Sequence, residues 1–351
     1  MLWSSDTQYL PKVEFTDINY MYPALMNYVK DQYLSGEISY YVHTGDIVDD
    51  NPSYGDAAVK EWENATDAFE ILDAANVQYG VNAGNHDVGS VISSINYDYY
   101  KSYFGNKRFA NMDCYGGNLN DNEAHYDLIT IGGIDFIFMY IGFGIEPRLE
   151  TINYVKKILS MYKHRNAIIC THAYLSSDGT LDTDASGQIL YDNYVVPNEN
   201  VKMVFCGHTD GNVVNKKPVS EGRYVYEILN CYQFVQTNQY SVSHKISGLD
   251  CNGEGFLRDM VFDGNHVSWT TYSPVIGTTN PLGANDSRSI DVDFIREKRI
   301  LETLNVSACQ ISGNSLFSYS SNDIKDINLS NDKNYLAIAS ASHDAYGFER
   351  L

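Results

Sequence analysis

The sequence predicts an α/β fold, and three observations carry that reading. Short apolar runs of strand character recur along the chain, and each stops at a polar word. Residues 38–42 run into Gly45-Asp46, 77–81 into Gly84-Asn85-His86-Asp87, 167–170 into His172, and 201–205 into Gly207-His208. A clear helical period separates the first two runs, so residues 38–81 read as strand, helix, strand, which favours a parallel crossover. Further along, apolar runs joined by short glycine turns read as antiparallel pairs.

Each element has its own warrant. Residues 22–33 read as a helix closed by Ser35-Gly36, and 37–43 as a strand. The next helix, 56–75, places Ala58, Trp62, Ala65, Phe69 and Leu72 at steps of three and four, one face of a 3.6-residue period. Asn76 closes it before the strand 77–81. Residues 88–123 are rich in Tyr, Asn and Gly with little periodicity; they read as a long loop region with short helical pieces, and such loops are usually functional. A hairpin follows, with strands 125–131 and 134–142 around Gly132-Gly133. Residues 148–162 form a helix on Leu149, Ile152, Val155 and Leu159. Residues 223–229, 256–262 and 267–272 read as closing antiparallel strands, the last two joined by Asp263-Gly264-Asn265.

After Pro274 the character changes. Residues 277–289 are a linker or surface loop rich in Gly, Asn, Thr and Ser, 290–304 read as a helix, and 305–351 carry no motif. The expected organisation is a domain over 1–275 and a C-terminal extension over 276–351.

The chain of 351 residues is long enough to bury a sizeable core. Its formal charge of −21 repels polyanions at long range, which argues against long nucleic acids and anionic membranes as partners. An anionic substrate at one site stays compatible, because bound divalent ions invert the local sign. Six cysteines give no dense disulfide framework; Cys170 and Cys206 end apolar strands and read as buried thiols. The longest apolar run, 134–145, is too short to span a bilayer. No signal peptide is visible, and the first motif begins so early that leading sequence is expected to be missing. The polar, Tyr- and Asn-rich, Lys-poor composition leans toward an extracellular or cell-surface location. Oligomeric state is left open.

Two metals a few ångströms apart need a shared anionic ligand, terminal ligands for each ion and open positions for water and substrate. An Asp directly after Gly at a strand end suits the bridge, Asn offers a neutral carbonyl oxygen, and His a neutral imidazole nitrogen. The chain supplies Asp6, Asp46, Asn85, His172 and His208 in that order, each near a strand end.

In that order, an early Asp, Gly-Asp, Gly-Asn-His-Asp, a lone strand-end His and Gly-His resemble the calcineurin-like metallophosphoesterases over roughly residues 1–275. The resemblance implies a four-layer αββα sandwich, with two central mixed β-sheets flanked by helices and metal ligands on loops at one edge. It implies that Asp46 bridges two divalent ions, that Asn85, His172 and His208 complete the second, and that Asp6 binds the first. It also implies that His86 faces the substrate and assists the leaving oxygen, with Asp87 orienting His86. Two positions depart from the family pattern, both at the first metal: Gln8 and Asp210 stand where the family usually has histidines. That metal would keep only oxygen ligands, which favours Mn²⁺, Mg²⁺ or Ca²⁺ over Zn²⁺; the second site suits Zn, Fe or Mn. Manganese serves both.

The implied activity is hydrolysis of a phosphomonoester or phosphodiester by a hydroxide held between the metals. The alternative is a non-catalytic binding module on a degenerate phosphoesterase fold, for surfaces or carbohydrates. The 29 tyrosines, many in loops, suggest a carbohydrate-containing phosphoester. Among other candidates, Asp49 and Asp50 either hydrogen-bond the ligands or cap a turn. His43 reads as core or as support behind a ligand. Tyr174 is a candidate pocket residue, and Arg108 either contacts phosphate or is a surface charge. His125 reads as structural or exposed.

Overall fold

The computed structural model describes residues 1–12, 20–50, 55–90, 94–183, 186–235, 245–246, 249–250, 254–282, 286–296, 324–329, 335–340 and 347–350. The chain opens with β1 (Leu2–Ser4), α1 (Met21–Leu34), β2 (Tyr41–His43), α2 (Asp56–Ala74) and β3 (Tyr79–Val81). Three short helices follow, α3 (Asn85–Val88), α4 (Asp98–Phe104) and α5 (Asn106–Phe109). Then come β4 (Tyr115–Leu119), β5 (Ala124–Ile131), β6 (Ile134–Ile141), α6 (Leu149–Met161), β7 (Asn166–Cys170), α7 (Gly187–Leu190) and β8 (Val201–Cys206). The remaining strands are β9 (Gly211–Ser220), β10 (Arg223–Cys231), β11 (Lys245–Ile246), β12 (Leu249–Asp250), β13 (Leu257–Asp263), β14 (His266–Ser273), β15 (Thr278–Thr279), β16 (Arg288–Asp291), β17 (Ile324–Leu329), β18 (Tyr335–Ser340) and β19 (Gly347–Arg350).

Two seven-stranded mixed sheets form the first unit, Met1–Glu297. One runs β15-β14-β13-β1-β2-β3, with β16 also on β14; β1, β2 and β3 are parallel, as the crossover through α2 requires. The other runs β4-β5-β6-β7-β8-β10-β9, with β6, β7, β8 and β10 parallel. The segment read as a closing antiparallel strand, β10, pairs parallel to β8, because the hairpin through β9 turns the chain twice before it returns.

Strand alternation stacks the layers. Trp3, Tyr40, Val42, Phe136, Phe138, Tyr140, Ile168, Met203, Phe205 and Ile228 share one buried cluster between the sheets. Their neighbours Leu2, Tyr41, Ile137, Met139, Ile169, Val204 and Leu229 join the apolar residues of the helices in another. Since side chains alternate faces, each central strand is covered on both sides and reads as an unbroken apolar run. Trp3 stacks on Phe205 across the sheets with ring centroids 4.2 Å apart, and Phe69 of α2 packs on Tyr79 at 5.5 Å. The result is the expected layering of helices on two central mixed sheets.

Two expectations differ. The boundary at 275 falls inside the first unit: β15 and β16 extend its sheet, and Val292 and Phe294 are buried between the sheets. The segment 290–304, read as a helix, begins in β16 and continues without helix to 296; the rest lies outside the described residues. In the second unit, Lys298–Leu351, β17, β18 and β19 form an antiparallel sheet. Among the described residues no helix is long and apolar enough to cross a membrane.

One buried acid sits between the sheets. Asp127 accepts from Tyr40 Oη, and burial pushes its pKa up to about 7. The unfolded chain releases that proton near the ordinary carboxylate value, so this group costs stability as pH rises from about 4 to 7, and the cost remains above that. Asp127→Asn should therefore gain melting temperature relative to the native chain between pH 5 and pH 8. Thermal unfolding of both proteins at the two pH values checks this, and a difference independent of pH would contradict it.

Candidate metal centre

Every expected ligand follows a parallel strand of one sheet or the other. Asp6 follows β1, Asp46 follows β2, Asn85 follows β3, His172 follows β7 and His208 follows β8. These carboxyl ends share one edge of the sandwich, the usual place for a ligand in parallel sheets. The turns are tight. Asp6, Asp46 and His208 have φ of 56°, 56° and 73°, a left-handed region that Asp and His enter more readily than most residues. Gly45 has φ of 94°, and a Cβ there would stand 2.7 Å from His172 Nδ1. A Cβ on Gly84 would overlap Asp46 Oδ1, and one on Gly207 would overlap Asp6 Oδ2.

The residues expected at the second metal converge. His172 Nδ1 donates to Thr44 O at 2.9 Å, which turns Nε2 inward. That Nε2 lies 3.0 Å from Asn85 Oδ1 and 3.1 Å from Asp46 Oδ2. The donor atoms of Asp46, His172 and His208 all fall within 4.8 Å of one another. Burial alone would lower the His172 pKa, but the Asp46 and Asp6 carboxylates outweigh it and raise it to about 9. Burial alone would raise the Asp46 pKa, but the His172, His86 and His208 imidazoles hold it below its usual value. Two side-chain oxygens and two imidazoles thus meet at one buried place, a donor set that fits a divalent metal.

On the first-metal side, Asp6 is buried and accepts from His208 N at 3.0 and 3.1 Å. Gln8 is also buried; its Nε2 donates to Asp46 Oδ2 at 3.3 Å and to Gln233 Oε1, while its Oε1 is buried without a partner. The Gln8 amide thus carries an oxygen with no other partner, a hard donor of the kind a divalent ion takes. Asp210, the other residue expected at the first metal, is exposed on the turn between β8 and β9. Gln233, which no reading of the sequence singled out, is buried and accepts from Gln8 Nε2.

His86 occupies the rim. Its side chain is 35% exposed, Nε2 lies 4.0 Å from Asp46 Oδ2, and Nδ1 meets Asp49 Oδ1 at 3.0 Å and Asp49 O at 3.1 Å. Burial would lower its pKa, but Asp46 and Asp49 raise it to about 10. The expectation that Asp87 orients His86 is corrected. The Asp87 carboxylate accepts from Ile47 N at 2.8 Å, Val48 N at 3.0 Å and Gly84 N at 2.7 Å, tying the loops after β2 and β3 together. Asp49 is the carboxylate on His86. It is held in turn by Lys12, and Glu61 Oε2 accepts from Asp49 N at 3.1 Å and Asp50 N at 2.9 Å. The adjacent Asp49 and Asp50 were the available signal.

Other candidates fall in the core. Arg108 is half-buried: it pairs with Asp73 at 2.7 Å, donates to Tyr79 Oη at 2.8 Å and lies over Phe104. Tyr174 is buried and donates to Glu227 Oε1 at 2.5 Å. His43 is buried with Nε2 2.8 Å from Thr7 Oγ1, and His125 stacks on Tyr140 at 4.4 Å. Cys170 and Cys206 are buried free thiols, as are Cys114 and Cys231.

A two-sheet sandwich with Asp, Asn and His ligands on loops at one edge defines a metallophosphoesterase class. Residues 6–211, more than half of the chain, match the calcineurin-like phosphoesterase family, and the chain belongs to it. It is 32% identical over 315 residues to the uncharacterized protein YvnB of Bacillus subtilis strain 168, covering 86% of this chain and 22% of that protein. The chain thus spans under a quarter of that relative's length. It superposes on a dimetal phosphatase from Danio rerio with a TM-score of 0.50 at 11% identity, covering 79% of this chain and 97% of that one. At that identity the likeness speaks for the fold. The family implies two divalent metal ions and a phosphoester substrate.

Gly84→Ala tests the packing of the centre. The added methyl displaces Asp46, so Mn²⁺ affinity should fall by at least about tenfold, the scale seen when groups supporting a metal ligand are lost. Calorimetric titration, with circular dichroism as a control for folding, measures it; native affinity in the variant would contradict the geometry.

Proposed function

We propose that this chain is a metal-dependent hydrolase of phosphomonoesters or phosphodiesters, with manganese as its working metal. The observation that carries the reading is the convergence of Asn85 Oδ1 and Asp46 Oδ2 at 3.0 and 3.1 Å from His172 Nε2, with His86 standing beside that group. Asp46, Asn85, His172 and His208 would hold one ion, and Asp6, Gln8 and Asp46 the other. Bound divalent ions supply positive charge against phosphoryl oxygens and make bound water more acidic.

The chain's own residues supply orientation and a proton. With Nδ1 held by Asp49, Nε2 is the His86 nitrogen that faces the centre. The Asp46 and Asp49 carboxylates favour its protonated form, which suits donation to a leaving oxygen. Asp87 and Glu61 hold the loop of residues 46–50 through its backbone N–H groups, so bridge and acid keep a common frame. Oxygen donors at the first metal favour a hard ion such as Mn²⁺. The charge of −21 supports small phosphoesters over long nucleic acids.

Mn²⁺-loaded protein should bind two ions per chain and hydrolyse p-nitrophenyl phosphate or bis(p-nitrophenyl) phosphate. His86→Gln should lower kcat by about 10²–10⁴-fold, the usual worth of a general acid, with the metal content unchanged. Full turnover by His86→Gln would remove the acid role. Two bound ions with no turnover of either ester would favour a binding module.

A further inference from the structure

We propose that Gln233 supplies an amide oxygen to the first metal position, completing with Asp6, Gln8 and Asp46 an all-oxygen site for a hard divalent cation. The inference rests on the metal-dependent reading above and goes beyond it by naming a further oxygen donor for the first metal, at which Gln8 and Asp210 stand where the family usually has histidines.

Topology brings Gln233 there. It follows β10, which pairs parallel to β8, so its loop emerges at the same edge as His208. Gln233 is 7% exposed and Gln8 fully buried, and Asp6 and Gln233 line one small cavity with Thr7, Tyr9, Tyr232 and Phe256. The Gln8 Nε2 group sits among oxygens: Asp46 Oδ2 at 3.3 Å on one side and Gln233 Oε1 on the other. The Gln8 amide thus stands between the Asp46 carboxylate and the Gln233 amide oxygen.

The same amide has its Oε1 buried without a partner. A half-turn about the last torsion of Gln8 exchanges its N and O with little change of shape. An oxygen of Gln8 then faces Asp46 Oδ2 and Gln233 Oε1, and Asp6 lines the same cavity as Gln233. Two neutral amide oxygens and two carboxylates form a hard donor set suited to Mn²⁺, Mg²⁺ or Ca²⁺. Asp210, by contrast, is exposed.

Calorimetric Mn²⁺ titration of the native chain, Gln233→Ala, Gln233→His and Asp210→Ala tests this without reference to turnover. The native chain should bind two ions. Gln233→Ala should weaken one of them by at least about tenfold and leave the other unchanged. Asp210→Ala should leave both unchanged, and Gln233→His should shift the weaker site from Mn²⁺ toward Zn²⁺. Two ions retained at native affinity in Gln233→Ala would overturn the inference alone, as would loss of an ion in Asp210→Ala. If Gln233→Ala does not fold, an unaltered metal preference in Gln233→His overturns it. No Mn²⁺ bound by the native chain would overturn the metal-dependent reading and this inference together.

Discussion

The Asp46 carboxylate ties the two sheets together at the edge where the chemistry lies. One oxygen accepts from His86 N on the loop after β3. The other meets His172 on the loop after β7 of the opposite sheet and Gln8 on the loop after β1. Loops from both sheets must therefore approach within hydrogen-bond distance of one side chain. That requirement explains the local backbone: glycine at 45, 84 and 207, where a Cβ would strike the centre, and left-handed φ at Asp6, Asp46 and His208.

Burying so many acceptors in one place is unfavourable unless a cation or a donor answers them. The first ring of loops does this with backbone N–H groups: His208 N on Asp6, His86 N on Asp46, and Ile47, Val48 and Gly84 N on Asp87. Behind it lies Lys12, itself buried, placed among Asp49, Asp50 and Glu61. Glu61 belongs to α2, so the helix of the crossover also holds the loop that carries Asp46. The fold and the site are thus stabilised by the same element.

Much of this architecture was legible along the chain. The helix over Asp56–Ala74 declared itself through the spacing of Trp62, Phe69 and Leu72, and those residues are buried. The hairpin at Gly132-Gly133 is present as β5 and β6. Local pattern failed where the outcome depended on a distant partner. The strand β4 has no apolar alternation of its own and forms by pairing with β5. Asp87 sits next to His86 in sequence, yet a helical turn points neighbouring side chains in different directions, and the distant Asp49 reaches the imidazole instead. Arg108 has the look of a surface cation until Asp73, Tyr79 and Phe104 close around it.

The sequence by itself determined the layered α/β class, the strand-end positions of Asp6, Asp46, Asn85, His172 and His208, and the family to which they point. Those features are local: an apolar run, a turn glycine and a polar side chain lie within a few residues of one another. Tertiary structure alone decided that β10 returns parallel to β8, which brings Gln233 against Gln8. It also decided that Asp49 rather than Asp87 holds His86. The physical reason is the same in each case. Which polar groups meet is set by the register and direction of paired strands, and those hydrogen bonds join residues far apart in the chain.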